Sequence, residues 1–285
     1  MYEDIHIVLD SVSDVQYTDL INNPRIHQVR MLVRHGNEEW YDGDKSLEEM
    51  FRMVEKTGEL PTTSQPPIGN TLETLRELVQ QGKKVIIINC DSVLSGTYQS
   101  CCMAARDIMK EVKGSDIRVI DSKLASNALC GIAEALLAKI EEGITLDEAE
   151  VYVKDMARRT TIFFTIDSLE YLAKGGRIGA VGALLGSILG IRPVIRVNPD
   201  GNIVSIDKCR TRKKALKRLI EFAEAEGEPE EIFTPCSMAD ADAEYLKAEM
   251  AQRFPGVPIR SGRIGTIIGT HLGPSAVGLF VRVKA

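Results

Sequence analysis

The chain has 285 residues, of which 44% are hydrophobic and 27% charged, and a formal net charge of −6. Those proportions allow a sizeable core and exclude a disordered or fibrous chain. An acidic balance argues against a nucleic-acid partner, because neutralising phosphates needs a basic footprint.

The opening MYEDIHIVLDS lacks the basic start and apolar run of a secretory signal. The longest apolar run, 178–191, is interrupted by glycines and is shorter than the roughly 20 residues a spanning helix needs. A cytoplasmic location is expected. The six cysteines, at 90, 101, 102, 130, 209 and 236, form no CxxC and no paired Cys/His spacing. They read as reduced core residues, with no metal site.

In chain order, Ile5–Leu9 is a short buried strand ending in Asp10-Ser11, and Ile26–Val33 continues the strand pattern. Leu47–Val54 and Leu72–Val79 have helical spacing. Val85–Asn89 is a buried strand, followed by a helix over Thr97–Val112, a strand over Ile117–Ile120 and a helix over Ala125–Ile140. Strands alternating with helices predict a parallel, helix-covered sheet. Thr145–Ala157 is a helix with Thr145 and Glu148 in capping-box spacing. Thr160–Ile166 is a strand. Val194–Val197 and Ile203–Ile206 flank the turn sequence 198–202 as a hairpin. Lys208–Ala225 reads as a helix, and Ile232–Pro235, Val257–Ile264 and Val277–Val283 as strands. The expectation is an α/β protein of two lobes. Residues 1–155 form an N-terminal α/β lobe with a parallel sheet, and 156–285 a C-terminal α+β lobe with a mostly antiparallel sheet. The lobes are free to exchange segments.

Three buried strands end in Asp-Ser, at 10–11, 91–92 and 121–122. In a parallel sheet these dipeptides share the carboxyl edge, where ligands bind; helix capping alone is the plainer explanation. The loop from Asp91 to Thr97 offers Ser95 and Thr97 hydroxyls at a helix start, with Gly96 leaving room for close approach, and suits a carboxylate or phosphate. A capped turn would use the same residues. The segment 62–67, with Thr63 and Ser64, is held extended by Pro66 and Pro67 and could aim a hydroxyl at the same anion. His271 sits among glycines and a proline, on a loop or strand end. Gly179, Gly182, Gly186 and Gly190 would form a bare stripe on a helix, against which another helix or an apolar ligand chain could pack. No GxxxxGK[ST], GxSxG or HExxH sequence occurs.

The ordered set of Asp10-Ser11 with Ser13-Asp14, TSQP at 63–66, LSGTYQS at 94–100, VIDSKLAS at 119–126, FTIDSLEYLAKGGRIG at 164–179, LLGSILGIRP at 184–193, Gly201 with Lys208 and Arg210, and HLGP at 271–274 resembles the DegV family of bacterial lipid-binding proteins. The resemblance spans nearly the whole chain. Pro67 and Ser275 depart from the family pattern, where serine usually follows TSQP and glycine often follows HLGP. The resemblance implies one long-chain fatty acid buried between the two lobes and no cofactor. Thr63 and Ser95 would hold its carboxylate, with Ser64, Gly96, Thr97 and His271 around it. It also implies a separate ATP-binding kinase subunit that converts the acid to an acyl phosphate, and it allows a transient membrane contact. Arg177, Arg192, Lys208, Arg210 and Arg212 would then include the kinase-docking surface, although solvated helix charges would look the same. Two other functions fit the residues: a lipid hydrolase or acyltransferase using Ser95 and His271, and a lipid-responsive store or regulator without a kinase.

Overall fold

The computed structural model describes residues 3–184 and 190–285. The chain runs β1 (Ile5–Asp10), β2 (Ile26–Val29), β3 (Leu32–His35), β4 (Glu38–Tyr41), α1 (Leu47–Thr57), β5 (Thr62–Ser64), α2 (Ile68–Gln80), β6 (Lys84–Asn89), α3 (Thr97–Glu111), β7 (Ile117–Asp121), α4 (Asn127–Glu141) and α5 (Leu146–Arg158). It continues with β8 (Thr160–Thr165), α6 (Glu170–Lys174), β9 (Arg192–Val197), β10 (Ile203–Cys209), α7 (Arg212–Ala225), β11 (Pro229–Cys236), α8 (Asp240–Arg253), β12 (Ile259–Arg263), α9 (Thr266–Leu272) and β13 (Val277–Val283). A small sheet of order β4-β3-β5 lies in the segment 32–64.

The chain divides into two compact units. One holds the residues up to Leu32 and Thr63–Arg158; the other holds Val33–Thr62 and Arg159–Ala285. The first unit is built on a parallel sheet of order β2-β1-β6-β7. Its central strands are apolar on both faces, as helix-covered parallel strands must be. Val8, Val85 and Ile87 pack with Leu75 and Leu78 of α2 and with Cys101, Ala104 and Ile108 of α3. The alternate residues Ile7, Leu9, Ile86 and Ile88 are also buried, and face the other way, where α4 and α5 pack. The expected capping box opens α5: Thr145 N donates to Glu148 Oε2 at 2.9 Å, and Glu148 N donates to Thr145 Oγ1 at 3.3 Å.

The second unit carries a six-stranded sheet of order β10-β9-β8-β13-β11-β12, antiparallel except between β11 and β12. Helices α7 and α8 cover one face, with Leu216, Leu219, Leu246 and Met250 packed on Phe163, Ile232 and Leu279. The α/β class, with a parallel first sheet and a mostly antiparallel second one, is as the sequence indicated.

Several expected boundaries move, each for a local reason. The pattern over Ile26–Val33 is two strands, because Met31 N leaves the ladder and donates to Ser11 Oγ at 3.1 Å. The helix expected from Lys208 starts at Arg212, where the Thr211 hydroxyl accepts from Lys214 N at 3.2 Å. Lys208 instead belongs to β10, paired with Pro193. His271 lies in the last turn of α9, not on a loop. That helix starts at a cap distant in sequence: the Asp42 carboxylate accepts from Thr266 N at 3.2 Å and Thr266 Oγ1 at 2.6 Å. All six cysteines are free thiols, five of them buried and Cys102 half-buried. No helix of the described residues is long and apolar enough to cross a membrane.

Candidate ligand-binding site

The register of the first sheet brings the three Asp-Ser dipeptides to one edge, with Asn89 opposite Asp121 and Leu9 opposite Ile88. The aspartates hold that edge together. Asp10 is fully buried and accepts from Val12 N, Asn89 Nδ2 and Cys90 N at 3.1, 3.1 and 2.8 Å. Burial pushes its carboxyl above the ordinary value, against those three bonds. Asp91 accepts from Val93 N at 2.9 Å, and burial raises its carboxyl to about 6, with Lys123 opposing. Burial also works against the Asp121 charge, but bonds from Lys123 and Ser92 outweigh it and keep that carboxyl below its usual range. Lys123 Nζ donates to Ser92 Oγ at 2.7 Å and pairs with Asp121 at 2.6 Å. At these aspartates, bracing of the loops accounts for every bond described.

The hydroxyls behave differently. Leu94 N and Ser95 N both donate to the Asp91 carbonyl, at 3.2 and 3.0 Å, and this turn sets Ser95 just before α3. Ser95 Oγ accepts from Thr97 N at 3.3 Å and lies 2.9 Å from Thr97 Oγ1. Thr97 is fully buried and Ser95 half-buried. Either hydroxyl can donate in that pair, and the Thr97 hydroxyl also lies 3.9 Å from Met31 Sδ, as a donor to the sulfur. A half-exposed O–H at the start of a 15-residue helix, where amide N–H groups are unpaired, favours an anion.

Thr63 and Ser64 lie on β5, Thr63 half-buried and Ser64 exposed. The chain then passes the α3 start through Gln65, whose Oε1 accepts from Ser100 Oγ and whose carboxamide rests on Gly96. The TSQP and LSGTYQS segments therefore meet within the first unit. Gln65 and Ser100 lie inside the two motifs, where no sequence signal marks either as a contact.

In the second unit the GGRIG and HLGP segments meet in the same way. The His271 ring packs on the bare Cα of Gly175, where a Cβ would lie 3.1 Å from Cε1. Tyr171 packs against Gly273 and makes an edge-on contact with Phe51 at 6.0 Å. Burial, then the nearby Arg177 charge, lower the His271 pKa to about 4. The imidazole is neutral near pH 7 and offers one N–H.

The glycine stripe is not an α-helix in its described part. Residues Gly179–Leu184 form a 3₁₀ turn. Gly179 has φ +48°, and a Cβ there would lie 3.2 Å from Ile203 Cγ1. Backbone conformation thus explains this glycine. Among the described residues, a Cβ on Gly182 would meet only the Ile178 side chain, at ordinary contact distance. Gly190 has φ +86°, and no described residue lies within 4 Å of where its Cβ would be. Gly186 lies outside the described residues.

The basic residues separate into two groups. Arg177 donates to the Gly175 carbonyl at 2.7 Å; Arg192 pairs with Asp167; Arg212 donates to Asp242 and to the Ser275 carbonyl, each at 2.7 Å. Ser275, one of the two departures from the family pattern, also accepts from Asp167 N at 2.9 Å through its hydroxyl. Lys208 and Arg210 are exposed and form no ion pair with the described residues. Among those residues, no group of three or more His, Cys, Asp or Glu could hold a metal ion.

Residues 4–284 match the family model described as "Uncharacterised protein, DegV family". The chain is 31% identical over 281 residues to Protein DegV of Bacillus subtilis, covering 96% of this chain and 98% of that protein. A DegV domain-containing protein of Streptomyces coelicolor is 34% identical over 251 residues, 84% of this chain and 87% of its own. Among solved structures, a fatty-acid-binding DegV family protein of Thermus thermophilus superposes with a TM-score of 0.90 at 26% identity, over the full length of both chains. DegV of Bacillus subtilis, described as a fatty acid binding protein, gives 0.87 at 27% identity, over 99% of this chain and 100% of that one. A stearic-acid-binding protein of Eubacterium ventriosum gives 0.86 at 26%, over 99% and 98%. With its motifs meeting in pairs and its whole length matched, this chain belongs to the DegV family.

Proposed function

We propose that this protein binds one long-chain fatty acid and presents its carboxylate, held by Thr63 and Ser95, to a separate ATP-binding kinase subunit that forms an acyl phosphate. It acts in the cytoplasm as a lipid-binding protein without catalytic residues of its own. Ser64, Gly96 and Thr97 complete the carboxylate end. The observation that carries this reading is the half-buried Ser95 hydroxyl, set beside the Thr97 hydroxyl at the start of α3. The fatty-acid-binding relatives of matching fold support the ligand class, and the lack of a phosphate-binding loop supports a nucleotide site on another chain.

The energetics suit a carrier. Each buried CH₂ is worth about 0.8 kcal/mol, so the tail supplies most of the affinity. A bond from hydroxyl to carboxylate adds about 1.5–3 kcal/mol and fixes orientation. Denaturing extraction and mass spectrometry of the purified protein should yield a near-stoichiometric fatty acid. Ser95→Ala should weaken oleate binding by about 1.5–3 kcal/mol in calorimetric titration, and the methyl ester should bind the wild type less well than the acid. Equal affinity for acid and ester would defeat the carboxylate site.

Arg177, Arg192, Lys208 and Arg210 are the proposed kinase-facing charges, and rim charges act mainly on association rate and salt dependence. Arg177→Ala should preserve oleate affinity while lowering acyl phosphate formation with ATP and a kinase subunit, an effect that shrinks as salt rises. Normal phosphorylation per bound lipid would remove Arg177 from that surface.

A further inference from the structure

We infer that Gln65 is a positioning residue for the carboxylate site, latching the Thr63 strand onto the first turn of α3 so that Thr63 and Ser95 are held at a fixed separation. This rests on the fatty-acid reading above and adds a residue to it.

Gly96 is the first indication. Its φ and ψ of −75° and 3° suit any residue, so the backbone does not require glycine there. Nor does helix capping favour it, since Ser, Asn or Asp would cap α3 better. A Cβ on Gly96 would, however, fall inside the Gln65 carboxamide, with Cδ 3.0 Å away. The missing side chain makes room for Gln65.

The second indication is the far end of the same carboxamide. Its Oε1 accepts from Ser100 Oγ, and Ser100 N donates to the Gly96 carbonyl at 3.1 Å. Gln65 therefore lies along one turn of α3, from Gly96 to Ser100, next to the Ser95–Thr97 pair.

The third is the chain on either side. Pro66 restricts Gln65 to extended backbone. Side chains in an extended chain alternate, so Thr63 points to the same side as Gln65. Anchoring one on α3 aims the other. Gln65 is itself exposed, and its bond to Ser100 competes with water, so the latch contributes to geometry more than to stability.

The test uses delipidated full-length protein, with Gln65→Ala, Gly96→Ala and the double variant, read by affinity for oleate and for oleyl alcohol and by melting temperature. Gly96→Ala displaces only the flexible end of an exposed side chain, so melting temperatures should stay close to wild type. Each single variant should lose about threefold to tenfold in oleate affinity, with a smaller loss for the alcohol. The double variant should be no weaker than Gln65→Ala alone, because the methyl of residue 96 then has nothing left to displace. Wild-type oleate affinity in Gln65→Ala, equal losses for acid and alcohol, or a full second loss in the double variant would each overturn the latch while leaving the fatty-acid reading standing. Failure of the wild type to bind either ligand would defeat that reading and the latch with it.

Discussion

Gly273→Ala should destabilise the protein by about 2–5 kcal/mol, as the sum of a backbone and a packing penalty. Gly273 follows α9 with φ +81° and ψ 179°, a region that side chains other than glycine's avoid. A Cβ there would also lie 2.7 and 2.8 Å from Cδ2 and Cε2 of the Tyr171 ring. That ring cannot retreat cheaply, because it is set edge-on against Phe51. The two penalties can be separated by urea denaturation of a double variant. In a Tyr171→Ala background the same glycine change should cost only the backbone part, about 1–3 kcal/mol. An unchanged denaturation midpoint for Gly273→Ala would show that the HLGP glycine is not held between Tyr171 and its own backbone. Loss of this contact should also disturb His271, which lies two residues earlier and packs on Gly175 from the same cluster.

The parallel half was legible because its signals are local. VIIIN, the Asp-Ser strand ends and the Thr145–Glu148 spacing each report on their own neighbourhood, and the register of β1, β6 and β7 only assembles them. The motif pairs were legible as resemblance, and their chemistry only in part. Ser95 and Thr97 stood out because hydroxyls beside a glycine at a helix start suggest an anion. Gln65 did not, because a glutamine after two hydroxyl residues has no chemistry of its own until Gly96 is seen beneath it. Helix α9 was hidden for a different reason. Its sequence is bounded by Gly265 and Gly273, and its cap is Asp42, more than two hundred residues earlier in the chain. The segment that carries Asp42 belongs to the second unit although it interrupts the first, and no local composition marks that excursion. Lys208 lies on a strand although its basic run has the look of a helix start, because such a run looks alike in a strand end; the Thr211 cap and the pairing with Pro193 decide between them.

His6, His271 and Asp91 together should lower the stability of this protein by roughly 2 kcal/mol between pH 6.5 and pH 5, before its surface carboxylates begin to titrate. Two imidazoles drive this part of the pH dependence; His27, also lowered by burial, adds to it, and Asp10, raised by burial, opposes it. His6 is buried on β1, with Nδ1 2.8 Å from His27 Nε2, and burial followed by the neighbouring His27 lowers its pKa to about 4. His271 is lowered to about 4 by its burial and by Arg177. Both bind a proton less readily folded than unfolded, so the stability they confer is complete above pH 6.5 and is lost as the pH falls towards 4, at roughly 1.5 kcal/mol each down to pH 5. Asp91 works in the opposite sense. Its carboxyl, raised to about 6, binds a proton more readily in the folded state. Its contribution is therefore fully present below the unfolded value and lost as pH rises through 6, and it returns about 1 kcal/mol over the same interval. Urea denaturation at the two pH values measures the difference. His6→Gln should make the fall smaller than in wild type by about 1.5 kcal/mol, whereas Asp91→Asn should remove the offset and deepen the fall by about 1 kcal/mol. An Asp91→Asn variant with a flatter dependence than wild type would mean that the charge state of Asp91 is not the one described, and a His6→Gln variant with a steeper one would overturn the assignment of His6.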